Sequence, residues 1–127
     1  MPPSVCVTIV THNSRQYIEP CLRSVFRQTH RPIELVIVDN ASTDGTRDIL
    51  AKFQNRVRVI ENDRNVGFAA AQNQAIAAGV SDWVLVLNPD AALEPGFVDQ
   101  LVEAQQIDTC LIIVPQRRIL SCESPPH

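Results

Sequence analysis

Val84-Leu85-Val86-Leu87-Asn88-Pro89-Asp90 is the stretch on which the fold turns. The apolar run reads as a buried strand that stops on a turn carrying one carboxylate. Proline has no N–H to give a sheet ladder and pushes the residue before it away from helical backbone. Asp90 therefore falls just outside the carboxyl end of the strand. In open α/β sheets that rim is where ligands bind.

Working outward, Val5 to Val10 is apolar at nearly every position and reads as a first strand covered on both faces. Thr11-His12-Asn13-Ser14 breaks it. From Arg15 onward, Tyr17, Ile18, Cys21, Leu22, Val25 and Phe26 recur at helical spacing, with Asn13 or Ser14 as the cap. Ile33 to Val38 reads as a second strand, followed by the polar loop Asp39 to Gly45 and a helix over Thr46 to Phe53. Val57 to Ile60 is a short third strand ended by Glu61-Asn62-Asp63-Arg64-Asn65. An alanine-rich helix then runs from past Gly67 to Ala78, with Gly79 as its stop and small residues that suit close packing on a sheet. Trp83 to Leu87 is the fourth strand, and Pro95 opens a helix reaching Gln106.

Strand and helix alternate throughout, the pattern of a mostly parallel, doubly wound sheet with helices on both faces. The loops after the four strands then open on one edge of the sheet. Thr11 to Ser14, Asp39 to Asp44, Asp63 to Asn65 and Asn88 to Asp90 converge on one crevice.

Composition narrows the chemistry. The chain has 127 residues, 45% hydrophobic and 20% charged, which describes an ordinary globular domain. A net charge of −3, with ten arginines and one lysine scattered along the chain, offers no footprint for nucleic acid and no basic run for anionic lipid. Cys6, Cys21, Cys110 and Cys122 form no CxxC pair and read as reduced cysteines. No stretch reads as a signal peptide or a membrane-spanning helix.

Asp39, Asp44, Asp63 and Asp90 would gather several carboxylates in one crevice, where like charges repel unless a cation or a hydrogen-bonding ligand sits among them. Hard oxygen ligands suit Mg²⁺ or Mn²⁺, held by one or two carboxylates plus substrate phosphates. A nucleotide diphosphate fits this arrangement. Each cluster also has a plain structural reading. Asp39 and Ser42 can cap a helix, Asp90 and Arg64-Asn65 can be turn residues, and His12 can be a hydrogen-bonded loop residue.

Four motifs in order, Val7 to Asn13, Val36 to Thr46, Asn62 to Asn73 and Leu87 to Asp90, resemble the family 2 glycosyltransferases. These are inverting, nucleotide-sugar-dependent enzymes. The resemblance covers Ser4 to Val102 and implies a Rossmann-like GT-A nucleotide-diphospho-sugar transferase fold. By resemblance, Thr11 and Asn13 line the nucleotide pocket, Asp39 hydrogen-bonds the base, and Asp44, Asn65 and Asn88 are further nucleotide-sugar-binding residues. Arg64 and Asn73 help hold the donor, and Gly67 allows a tight turn beside it. Asp90 matches the last carboxylate of the metal-binding Asp-x-Asp element and is the expected ligand of Mg²⁺ or Mn²⁺.

Here that element reads Asn88-Pro89-Asp90, so its first carboxylate is an amide and metal affinity rests on Asp90 and the donor's own diphosphate. The Asn-Pro-Asp form is similar to that of a rhamnosyltransferase-like branch working on bacterial cell-envelope polysaccharides. The implied partners are a nucleotide diphosphate sugar and a glycan or lipid-linked acceptor. A cytoplasmic site is implied, with peripheral association at the inner face of the membrane.

The resemblance also places the general base of an inverting transfer in a later acidic motif, beyond this chain. Residues 1–114 are expected to form the donor-binding part of an incomplete domain, and 115–127 a polar, disordered tail. Glu123 lies in that tail and is not cast as a base. A half-domain would expose an unpaired strand edge and apolar surface, so self-association as a homo-oligomer is expected. Two functional classes follow: metal-assisted glycosyl transfer, or a non-catalytic module that binds a nucleotide sugar. A nucleotidyltransferase or a dinucleotide oxidoreductase would need a glycine-rich loop after the first strand, and Thr11-His12-Asn13-Ser14 contains no glycine.

Overall fold

Strands built almost wholly of Val, Ile and Leu need cover on both faces, and helices alternating with them supply it. The computed structural model describes residues 4–107, 112–114 and 117–121. In chain order it places β1 (Val5–Thr11), α1 (Ile18–Phe26), β2 (Ile33–Asn40), α2 (Thr46–Ala51), β3 (Arg58–Asn62), α3 (Phe68–Ala78), β4 (Trp83–Leu87), α4 (Phe97–Ile107), β5 (Ile112–Val114) and β6 (Arg117–Ser121). The sheet runs β3-β2-β1-β4-β6-β5. All its pairings are parallel except β5 with β6.

Alternation along each strand divides the core into two layers. Val5, Val7, Ile9, Leu35, Ile37, Leu85 and Leu87 face Ile18, Leu22 and Val25 of α1, Leu50 of α2 and Val98 and Val102 of α4. Cys6, Val10, Val36 and Val38 face the other way, onto Ala71 and Ala75 of α3. Both alanines are fully buried, as expected of a small-residue helix seated close to the sheet. Gly79 ends α3 with an extended backbone, not the left-handed turn of a common glycine stop. It is glycine because a Cβ there would lie 2.7 Å from the Cys6 sulfur.

Several boundaries differ from the sequence reading. α1 starts at Ile18 and carries no side-chain cap; the Ser14 carbonyl instead accepts from the Tyr17 and Ile18 amides in a preceding turn. α2 stops at Ala51, where Lys52 and Phe53 switch to three-residue hydrogen-bond spacing. β3 extends two residues past Ile60 because Glu61 and Asn62 pair with Asp39 and Asn40. β6 lies inside the stretch read as a polar tail and runs parallel to β4. The ladder uses main-chain groups, which a polar sequence offers as readily as an apolar one. Cys6 and Cys21 are buried free thiols, as expected, whereas Cys110, Cys122 and Glu123 lie outside the described residues. Among the described residues no helix is long and apolar enough to cross a membrane.

Candidate functional site

Parallel pairing carries the ends of β1, β2, β3 and β4 to one rim, as the sequence pattern requires. The register sets Thr11 beside Asp39 and Asn40 beside Asn62. Polar residues meet there because the apolar strand bodies have ended.

Asp39 is the centre of the densest cluster and is fully buried. One carboxylate oxygen accepts from the Thr11 hydroxyl at 2.7 Å and the Ser42 hydroxyl at 2.6 Å. The other accepts from the Ser42 amide at 3.1 Å and from Arg47 Nε at 2.7 Å. A carboxylate offers about four acceptor positions, and all are used. Burial alone would raise its pKa, but the hydrogen bonds from Arg47, Ser42 and Thr11 outweigh it and hold the carboxyl below its ordinary value. Asp39 therefore does not cap α2, whose first turn is entered through Gly45 at φ 98°.

Asn13 adopts a left-handed backbone, φ 51°, and bridges two loops. Its amide donates to the Ser42 hydroxyl at 2.8 Å and its side-chain oxygen accepts from the Thr43 amide at 2.8 Å. Asp44 accepts from the Arg15 amide at 3.1 Å and from the Thr46 amide and hydroxyl at 3.0 and 2.5 Å. The Thr46 hydroxyl is the main reason its pKa is lowered. Asp44 thus shapes the loop instead of presenting a free carboxylate. His12 behaves as a loop residue, its Nδ1 donating to the Asn40 carbonyl at 2.6 Å.

Across the rim, an amide network that spacing did not reveal anchors the loop after β3. The Asn62 side-chain nitrogen donates to Asn40 at 2.9 Å and to Gln74 at 2.8 Å, and Gln74 donates back to Asn62 at 3.0 Å. Asn40 also donates to the Gly67 carbonyl at 3.2 Å. Gly67, at φ 89°, begins α3, and its amide donates to Asn65 Oδ1 at 2.9 Å. Asp63, Arg64 and Asn73 are exposed.

Asn88 and Asp90 occupy the end of β4. The Asn88 carbonyl accepts from the Ala91 amide at 3.1 Å, closing the turn, and from the Cys21 thiol at 3.7 Å. Burial and the nearby Asp90 carboxylate push that thiol up to about 12, so Cys21 stays protonated and inert. Asp90 itself is exposed and accepts no hydrogen bond from the described residues. Those residues contain no cluster of three or more His, Cys, Asp or Glu side chains able to hold a metal by themselves. A single free carboxylate at the rim still fits a hard divalent cation whose remaining ligands come from phosphate and water.

The family model for glycosyl transferase family 2 matches residues 6–126. An N-acetylglucosaminyl-diphospho-decaprenol L-rhamnosyltransferase of Mycobacterium tuberculosis is 36% identical over 109 residues, covering 77% of this chain and 36% of that protein. TuaG of Bacillus subtilis, a putative teichuronic acid biosynthesis glycosyltransferase, is 34% identical over 111 residues, 85% of this chain and 44% of its own length. The UDP complex of Staphylococcus aureus TarS superposes with a TM-score of 0.72 at 28% identity, covering 84% of this chain and 32% of that one. A Pyrobaculum calidifontis mannosyltransferase with GDP-Man and Mn²⁺ gives a TM-score of 0.72 at 29% identity, covering 84% of this chain and 32% of that one. The chain thus spans between a third and a half of the length of these curated relatives.

Proposed function

Because the chain belongs to glycosyl transferase family 2, we propose that it forms the donor-binding part of an inverting, metal-assisted glycosyltransferase. The sugar, rhamnose or another hexose, passes from a nucleotide diphosphate to a glycan or lipid-linked acceptor of the cell envelope. The observation that carries this reading is the convergence on one rim of the Asp39 cluster, the Arg64 loop and the Asn88–Asp90 turn. The rhamnosyltransferase relative supports the sugar, and the nucleotide and Mn²⁺ complexes of the structural relatives support the donor class and the metal.

Each residue then has a task. Thr11 and Asn13 line the nucleotide pocket, with Asp44 shaping its loop. Asp39 accepts from the base, whose N–H takes the place of the half-buried Ser42 hydroxyl. Arg64, Asn65, Gly67 and Asn73 border the donor from the opposite side, where a guanidinium suits a diphosphate. Asp90, beside Asn88, holds Mg²⁺ or Mn²⁺ with the donor's own phosphates. That cation would neutralise charge developing on the leaving diphosphate.

Titration calorimetry with UDP, dTDP and GDP, each with and without Mn²⁺, tests the reading. Binding strengthened by Mn²⁺ in the wild type supports it. A folded chain that binds none of the three sinks it. Turnover of a donor sugar by this chain would exclude the alternative of a module that only binds.

A further inference from the structure

Arg47 stands on the first turn of α2 and reaches two strand ends at once. Its Nε donates to Asp39 Oδ2 at 2.7 Å and lies 3.2 Å from Glu61 Oε2. Its Nη2 donates to the Asn62 carbonyl at 2.6 Å. One planar fork thus joins the end of β2, which carries Asp39, to the end of β3, from which the loop bearing Arg64 departs. Among the described residues Arg47 makes the ion pair to Asp39, whose side chain is 0% exposed against 37% for Arg47. A buried carboxylate without that partner would be a stranded charge. The pair with Glu61 contributes far less, since both of those groups are open to water.

Resting on the donor-site reading above, we infer that Arg47 is a positioning residue for nucleotide recognition. It holds the Asp39 carboxylate ionised and aimed for the base, and it fixes the loop that presents Arg64. The outer side of Arg47 borders an open recess of about 330 Å³ lined by Leu50, Val57 and Val59. Arg47→Met is therefore accommodated and removes the fork without a clash.

The test compares wild type, Arg47→Met and Arg47→Lys by two readouts. One is the titration of the Asp39 carboxyl carbon followed by NMR. The other is calorimetric affinity for UDP, dTDP and GDP with Mn²⁺ from about pH 5 to about pH 8. In Arg47→Met the Asp39 titration moves upward, affinity falls about tenfold or more, and the loss steepens as pH drops and the carboxyl takes its proton. Arg47→Lys restores the titration through its charge but only part of the affinity. A point charge cannot hold Asp39 and the Asn62 carbonyl together as the fork does.

A merely structural Arg47 would lower the Tm of Arg47→Met while leaving its Asp39 titration and the pH dependence of its binding as in wild type, and that result overturns the inference. If Arg47→Met does not fold, Arg47→Lys decides: weakened affinity with an unmoved Asp39 titration supports the role, and wild-type affinity overturns it. If the wild type binds none of the three nucleotides, the donor-site reading falls and takes this role with it. Wild-type binding with unchanged affinity in both variants overturns the positioning role alone.

Discussion

The two sides of the rim are built on opposite terms. Around Asp39, folding alone brings four donors onto one buried carboxylate, and Asn13 and Asp44 tie the neighbouring loops to it. Around Asp90 there is a tight turn and an exposed carboxylate that accepts nothing from the described residues. The first corner is assembled by folding alone, and on the donor-site reading the second would be completed by a ligand. Stability should therefore live in the first corner, and the metal-dependent part of ligand affinity in the second.

That contrast can be broken most decisively at Asp39. Asp39→Ala removes the carboxylate to which Arg47 Nε and the Thr11 hydroxyl donate, and it should cost about 3 kcal/mol of stability by denaturant unfolding. Arg47 is partly exposed, which keeps the loss at the lower end for a broken buried pair. A loss indistinguishable from zero would show that the corner is not preassembled.

At the opposite edge of the sheet, Gly79→Ala drives a methyl into Cys6 and should cost about 2 kcal/mol. Nucleotide affinity of the folded variant should stay unchanged, separating loss of stability from loss of rim order. Asp90→Ala should do the reverse, removing about tenfold of the Mn²⁺-dependent affinity while shifting stability by less than about 0.5 kcal/mol. Calorimetry beside thermal unfolding checks both halves.

The smallest effect sharpens the comparison through pH. The Asp39 carboxyl sits below its ordinary value of 3.8, so its contribution is present above that pH and is lost as pH falls through the lower folded value. Asp39→Asn should flatten the acid limb of the stability profile, as followed by denaturant unfolding between about pH 2 and about pH 7.

What the sequence made legible follows from local physics. The apolar runs of β1 and β4, the small residues of α3 and the polar breaks after each strand sufficed to place the sheet, its two layers and the shared rim. Arg47 and the Asn40–Asn62–Gln74 network were not legible, because they join residues from different strands and helices whose meeting depends on tertiary register. The same holds for the state of Asp39. A polar residue after a strand reads as a cap or a ligand, and only the packed structure reveals that Thr11, Ser42 and Arg47 fill it. β6 escaped notice because its pairing with β4 rests on the main chain.

The amide network beside Gly67 carries no net charge. Dissolved ions screen an exposed ion pair or a phosphate's approach to an arginine, but they do little to hydrogen bonds between neutral amides. The loop after β3 should therefore hold its position from dilute buffer to concentrated salt. Ionic strength would then tune how strongly an anionic ligand is drawn to the rim without altering the shape of what it meets.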